Sequence, residues 1–453
     1  MYSKKVLNLF EKHSIDIGSS VKLVTKDGRE YSGIIMPRSE FGDAECVVLK
    51  LENGYNIGIR VDSIRSVTLI SKKRKDVGKK NVIKARRKIS GKEKRITILH
   101  TGGTIASRVD YETGAVKAKF TPDELVDMFP EIEKYATINS RLIANALSEN
   151  LRFEHYNVMI DEITKEIKRG VDGIIVTHGT DTMAYTAAAL SFAFENLPVP
   201  IVLVGAQRSS DRPSSDAALN LISAVQFITN TDFCDVAICM HATTSDDFCN
   251  ILPACKTRKM HSSARVAFQT INSMPYARVW PKEEVIEMVN DGFKKRSDVR
   301  GKLIVKKFNP KLKIGILKAH PNMLPEEVLA FKNFDGLIIE GTGLGHIGVE
   351  VFDVHSKLNR RVEKALKEVI DGGAVVVMTT QCLHGRVNMN VYSTGRKLVK
   401  MGVLGNMTDI LPEVAFIKLA WLLSNYGKDE VKYLWNKNLR GEISPRSEAP
   451  FYQ

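Results

Sequence analysis

The stretch ITILHTGGTIAS (96–107) ends an apolar run in two threonines, Thr101 and Thr104, held apart by Gly102 and Gly103. A second run, IIVTHGTDTMAYTAAAL, sets Thr180 and Asp181 just past Gly179, where a helical pattern begins. Hydroxyls in such places suit acyl chemistry. A threonine oxygen becomes a nucleophile when a neighbouring base or charged network takes its proton. The tetrahedral oxyanion that follows needs aimed N–H donors, and the backbone amides of a glycine turn or a helix start can supply them. Each stretch alone also has an ordinary reading, since Gly-Gly turns follow many strands and Thr and Asp are frequent helix N-caps.

The elements that must hold these ends show in the hydrophobic pattern. RITILHTGG, GIIVTHG (173–179), PIVLVGA (199–205) and DVAICMH (235–241) are continuous apolar runs without alternation. That is the pattern of parallel strands covered on both faces. Between them, DTMAYTAAALSFAFEN and SSDAALNLISAVQFITN read as helices, and TPDELVDMFPEI opens on an N-cap signal at Thr121 with proline at the first helical position. The expected fold class is α/β, with two doubly wound α/β domains. Residues 96–292 form the larger one, which carries the threonines, and 293–312 a Lys-rich connection. Residues 313–425 form the smaller one, with strands KIGILKAH, FDGLIIEGT and AVVVMTTQ, and 426–453 a helical extension and tail.

Residues 1–70 are expected to be a small all-β domain, an SH3/Sm-like barrel. VKLVTKD, REYSGIIMP, ECVVLKLE and YNIGIRV are β-rich runs split by the turn signals KDGR and ENGY. A basic linker, 71–95, follows with 13 basic and 2 acidic residues, and it holds most of the chain's net charge of +14. Two readings stand: a solvated tether, or a strap that contacts nucleic-acid phosphates. No aromatics interleave to stack bases, so such contact would be electrostatic.

Several classes are excluded. With 43% apolar and 26% charged residues, the 453-residue chain reads as globular. It has no apolar run of about 18 residues to span a membrane. The start, MYSKKVLNLFEKHS, lacks the apolar core of a signal peptide. The six cysteines (Cys46, Cys234, Cys239, Cys249, Cys255, Cys382) form no C-x-x-C pair. They read as buried thiols in a reduced, cytoplasmic protein rather than zinc ligands. GLGHIG (343–348) satisfies G-x-G-x-x-G, but the next strand ends without the acidic residue a ribose needs, so NAD is rejected. No P-loop occurs, and no cofactor or metal is expected on this chain.

As a pair, HTGGTIAS and THGTDTMAYTAA resemble the two active-site signatures of the asparaginase/glutaminase family of threonine amidohydrolases. The similarity continues through PIVLVGAQRSSDRPSSDAALNL, GTGLGHIG, TTQCLHGRVN and LPEVAFIKLAWLL, so it covers about 95 to 425. The resemblance implies roles. Thr104 stands where the family has its loop threonine, the usual nucleophile, and Tyr111 where a tyrosine activates it. Thr180 and Asp181 match the second threonine and its aspartate. Lys259, nine residues before Phe268 in KMHSSARVAF, has the spacing of the catalytic lysine. Ser148 and Glu149 fall where the substrate's α-amino and α-carboxylate groups are clamped, a task Asp181 shares. Gly103 and Gly179 let backbone approach a small amide. Many members carry an asparagine in the GTGLGHIG loop that reaches the neighbouring subunit's site. His346 takes that place here, a departure that bears on substrate geometry.

The N-terminal unit and the basic linker make the arrangement look like the D subunits of archaeal glutamyl-tRNA(Gln) amidotransferases. That resemblance implies a glutaminase that supplies ammonia to a partner, the E subunit of the amidotransferase. The partner would carry ATP and Mg and amidate Glu-tRNA(Gln), with this chain a homodimer inside a heterotetramer and no membrane involved. Two other readings are a free-standing cytoplasmic L-asparaginase with an N-terminal extension, and an RNA-binding or scaffold protein on a retired hydrolase fold. Retention of Thr104, Tyr111, Thr180, Asp181 and Lys259 argues against the last. Glutamine and asparagine stay open as substrates, since one methylene is worth only about 1–3 kcal/mol in such pockets. So does the choice of acylated threonine.

Overall fold

The computed structural model describes residues 2–36, 43–51, 56–71, 94–103, 105, 107–109, 116–118, 129–209 and 215–446. Residues 72–93 of the basic linker, the Thr121 helix start, Thr104 and Tyr111 lie outside them.

The chain begins with a helix that the β-rich pattern does not announce, α1 (Lys4–Lys12), capped by Ser3, whose Oγ accepts from the Val6 N–H at 3.3 Å. Five strands follow: β1 (Ser20–Thr25), β2 (Glu30–Ile35), β3 (Cys46–Leu51), β4 (Asn56–Arg60) and β5 (Ile64–Ser71). They form an antiparallel sheet in the order β4-β3-β2-β1-β5. Alternate residues such as Val21, Leu23, Val47 and Leu49 point into a core shared with Val6 and Phe10 of α1. Val6, Leu7, Leu9 and Phe10 give α1 an amphipathic face in the sequence, but over only nine residues.

The large unit is built on eight strands: β6 (Arg95–Gly102), β9 (Thr137–Ala146), β10 (Gly173–Thr177), β12 (Ile201–Val204), β13 (Val236–His241), β14 (Cys249–Pro253), β17 (Ala277–Trp280) and β18 (Val285–Met288). Short ladders accompany them, namely β7 (Ser107–Val109) with β8 (Val116–Ala118), β11 (Phe194–Glu195) with β19 (Ile304–Val305), and β15 (Thr257–Lys259) with β16 (Phe268–Thr270). The sheet order is β18-β17-β14-β13-β12-β10-β6-β9. β6, β10, β12 and β13 are parallel, as expected, and β9, which the apolar pattern does not announce, pairs parallel with β6, whereas β14, β17 and β18 run antiparallel. The sheet is therefore mixed rather than doubly wound throughout. The turn between β13 and β14 is too short for a crossover, so β14 folds back as a hairpin. CNILP, ARVW and VIEM are also too short and polar to register as buried runs.

Helices α2 (Phe153–Lys168), α3 (Met183–Ala193) and α4 (Ala217–Asn230) cover this sheet. The small unit is a parallel three-stranded sheet, β20 (Ile314–Lys318), β21 (Gly336–Gly341) and β22 (Val375–Thr380). Its helices are α5 (Pro325–Leu329), α6 (Asn359–Asp371), α7 (Ser393–Met401), α8 (Pro412–Asn425) and α9 (Lys428–Trp435). Nearly every side chain of α3 is buried because the helix lies between the large sheet and α8, where Phe192 meets Trp421 at 5.5 Å between ring centres. Two buried ion pairs brace this region. Lys256 meets Asp409 at 2.8 Å, and Lys418 meets Glu442 at 2.6 Å while giving its other hydrogens to the Trp435 and Lys437 carbonyls. Cys234, Cys239, Cys249 and Cys255 are all buried, and the described residues contain no cluster of three or more metal-ligating side chains.

Candidate active site

From β6 the chain passes to β9 on one side, then to β10, β12 and β13 on the other. The order of the sheet thus reverses between β6 and β10, and ligands bind at the carboxyl ends of strands beside such a switch point. Both glycine-threonine stretches lie there.

Glycine is needed at these ends because three backbones converge. Gly102 and Gly103 have positive φ, +104° and +79°. A Cβ on Gly103 would sit 2.5 Å from the Gly179 nitrogen, and one on Gly179 would sit 2.8 Å from the Ser148 Cβ. The loops after β6, β10 and β9 therefore touch only because no side chain stands between them. Of the opening pair of hydroxyls, that of Thr101 is committed to the scaffold: its Oγ1 donates to the Thr177 carbonyl at 2.9 Å. His178, fully buried, has Nδ1 2.6 Å from the Gly179 carbonyl and Nε2 2.9 Å from the Thr186 hydroxyl. Burial lowers its pKa to about 4, so the ring is a neutral brace beneath the loop.

Lys259 reaches this corner from β15, whose pairing with β16 sets it opposite the buried Phe268. Its Nζ donates to the Thr180 Oγ1 at 2.8 Å and to the Asp181 Oδ1 at 2.7 Å. The lysine side chain is 14% exposed and the aspartate's 65%, so the cluster stands at an open mouth. The helix-cap reading of Thr180 and Asp181 does not hold. The N-cap of α3 is Thr182, and the side chains of Thr180 and Asp181 are turned to Lys259 instead. Thr182 in turn donates its hydroxyl to the Ser148 carbonyl at 2.7 Å and its N–H to the Ser148 Oγ at 3.4 Å. That N–H is engaged, which removes it from the expected oxyanion donors. Ser148 is buried on the turn Ser148–Asn150, and Glu149 beside it is exposed.

Of the expected residues, Gly103, Ser148, Gly179, Thr180, Asp181 and Lys259 thus come together. Two further residues, to which no role is assigned from the sequence, adjoin the cluster. Gln207 places its Oε1 3.5 Å from the Thr180 hydroxyl, and the buried Asp216 accepts the Gln207 N–H. Both lie in PIVLVGAQRSSDRPSSDAALNL, one of the stretches that carry the family resemblance, so that resemblance and the gathering of ligands at strand ends are the signals that could have found them. In the GTGLGHIG loop, Thr342 and His346 close a tight turn on each other. The next helix begins only at Asn359, so no helix N-terminus faces the glycines as a dinucleotide requires. His346 stacks edge-on against Tyr392, and its ring nitrogens are buried without a partner among the described residues.

An asparaginase-type α/β fold with a threonine–lysine–aspartate cluster at its switch point defines the class, that of asparaginase-like amidohydrolases. Residues 95–291 match the family Asparaginase, N-terminal, residues 313–433 the Glutaminase/Asparaginase C-terminal domain, and residues 15–70 the GatD N-terminal domain. Among solved structures, the thermostable L-asparaginase from Thermococcus kodakarensis superposes with a TM-score of 0.67 at 29% identity, covering 77% of this chain and 99% of that one. L-asparaginase I from Vibrio cholerae does so with 0.66 at 27% identity, covering 78% and 99%. The D subunit of glutamyl-tRNA(Gln) amidotransferase from Pyrococcus furiosus is 43% identical over 97% of this chain and 98% of its own. That of Sulfolobus acidocaldarius is 41% identical over 98% and 95%. The chain belongs to the family of glutamyl-tRNA(Gln) amidotransferase D subunits.

Proposed function

We propose that this chain is the glutaminase component of a tRNA-dependent amidotransferase, releasing the ammonia that converts Glu-tRNA(Gln) to Gln-tRNA(Gln). The observation that carries the chemistry is one lysine bridging a threonine hydroxyl and a carboxylate at the switch point. The choice between an L-asparaginase and an amidotransferase rests on coverage. The L-asparaginase structures account for 77–78% of the chain, while the amidotransferase relatives account for its N-terminal unit as well.

In this reading the Thr104 oxygen attacks the carboxamide carbon, with Tyr111 taking its proton. The C–N bond breaks and ammonia leaves, and water then cleaves the threonyl ester to free glutamate and regenerate the hydroxyl. Lys259, Thr180 and Asp181 form the charged relay that moves protons and stabilises the negative charge developing on oxygen. Ser148, Glu149 and Asp181 hold the substrate's α-amino and α-carboxylate groups, and Gly103 and Gly179 clear the space for it.

Other parts of the reading concern the whole assembly. The N-terminal sheet closes as an SH3/Sm-like barrel, and the chain divides at 70, 95, 292, 312 and 425. This chain uses no cofactor. ATP and Mg belong to the amidotransferase's E subunit, with which a homodimer of this chain forms a cytoplasmic heterotetramer. Among the described residues no helix is long and apolar enough to cross a membrane.

The test is substitution of each threonine. Thr104→Val and Thr180→Val should each lower glutamine turnover at least about 10⁴-fold, about 5.5 kcal/mol, with an unchanged melting temperature. Substantial turnover in both would sink the threonine mechanism.

A further inference from the structure

Gln207 stands three residues past the end of β12, as Thr180 stands three past the end of β10. Its backbone is held from behind. The Gln207 N–H donates to both oxygens of Asp216 at 3.0 Å, and the Arg208 N–H adds a third bond at 3.1 Å. Asp216 is wholly buried at the start of α4. Asn220 ties that carboxylate (3.2 Å) to the Gly205 carbonyl (3.0 Å), and His241 holds the Asn220 oxygen at 2.6 Å. These bonds fix the backbone from which the Gln207 side chain projects.

The side chain itself has unfinished hydrogen bonding. A threonine oxygen has one hydrogen to give. Since Thr180 Oγ1 accepts from the Lys259 ammonium, its own hydrogen goes elsewhere, and Gln207 Oε1 at 3.5 Å is the acceptor in reach. Bonds of this kind are often long before substrate arrives and tighten in the complex. The other end of the same carboxamide, Nε2, is buried and meets no acceptor among the described residues. A buried donor left without a partner is costly to keep and calls for an explanation.

We propose that Gln207 serves the amide hydrolysis in two ways: its oxygen orients the Thr180 hydroxyl toward Lys259, and its unsatisfied Nε2 donates to the carboxamide of the bound substrate. The inference rests on the amidohydrolase reading above and adds a substrate contact to it. The residue satisfies itself on both sides only when substrate is present, so its contribution appears in turnover rather than in folding.

Gln207→Met and Gln207→Glu test this, with ammonia release from glutamine measured in the complex with the amidotransferase partner and Glu-tRNA(Gln). Gln207→Met removes both polar atoms at similar volume and should lower kcat/KM about 10²-fold, mainly in kcat, at an unchanged melting temperature. A protonated glutamic acid has one donor and one acceptor, like the carboxamide, whereas its ionised form only accepts. Gln207→Glu should therefore work best at acid pH and lose rate as its carboxyl ionises, a limb that the parent and Gln207→Met lack. Gln207→Met within about threefold of the parent, or a Gln207→Glu pH profile that matches the parent's, would overturn the proposal. Thr180→Val run alongside separates the two claims. If it keeps turnover, the relay role given to Thr180 fails, and the proposal for Gln207 with it; if it is dead while Gln207→Met is not, only the role of Gln207 falls.

Discussion

Lys256 and Lys259 sit three residues apart in the same turn-and-strand segment, and each meets a carboxylate at hydrogen-bond distance, 2.8 Å to Asp409 and 2.7 Å to Asp181. Their surroundings differ. Lys256 and Asp409 are 3% and 2% exposed, and Asp409 also holds the Ser444 N–H, so the pair pins the large unit to the small unit and the C-terminal segment. Burial pulls the Lys256 pKa down, and the carboxylate is what keeps it charged. Lys259 is 14% exposed beside an aspartate 65% exposed, and it gives a second hydrogen bond to the Thr180 hydroxyl. The same kind of ion pair is a buried strut in one place and, in the proposed reading, part of the proton relay in the other.

Substituting both lysines should split activity from stability. Lys259→Met should lower kcat about 10³-fold or more, about 4 kcal/mol, and leave the melting temperature in place. Lys256→Met leaves Asp409 buried and unpaired, so it should cost about 3–5 kcal/mol in denaturant unfolding while the folded fraction turns over normally. If the two variants trade these outcomes, the comparison is wrong.

The buried histidines sharpen it further. Burial holds both His178 and His100, a buried ring on β6 whose nitrogens lie 2.7 Å from the Thr177 and Ser140 hydroxyls, down to about 4 from an ordinary 6.5. Between those values these two rings bind more protons in the unfolded chain than in the folded one, so the stability they contribute is complete above about pH 6.5 and falls as pH drops toward 4. Each ring contributes roughly 3 kcal/mol to that loss, read as a falling denaturation midpoint across the acid range. A flat midpoint from pH 7 to 4 would contradict the neutral, bracing role given to them.

Much of this is legible in the sequence. β10 and β6, the strands that lead to Thr180 and Thr104, are largely apolar runs, so their ends can be placed from pattern alone. Lys259 is reached only through a family resemblance, because nothing in its own neighbourhood marks it over Lys256. By residue type alone Gln207 and Asp216 are invisible as site residues, since a glutamine and an aspartate after a strand look like any loop. Their meaning comes from Asp216 folding back on its own loop across the residues between. The antiparallel strands β14, β17 and β18 escape for a plainer reason: each is four or five residues long and interrupted by polar side chains.

The smallest expected effect concerns the basic linker. Neutralising the clusters at 72–75 and 84–88 should weaken association with tRNA and flatten its salt dependence, with glutamine hydrolysis by the site itself unchanged. Binding that keeps its salt slope would reduce that segment to a tether.

The most direct measurement is ammonia release from glutamine and from asparagine, by the purified chain alone and then with Glu-tRNA(Gln) and the partner protein added. A tRNA-dependent glutaminase predicts weak activity alone that rises for glutamine when both are present. Vigorous asparagine hydrolysis that neither addition changes would contradict it and mark the chain as an L-asparaginase with an added N-terminal unit.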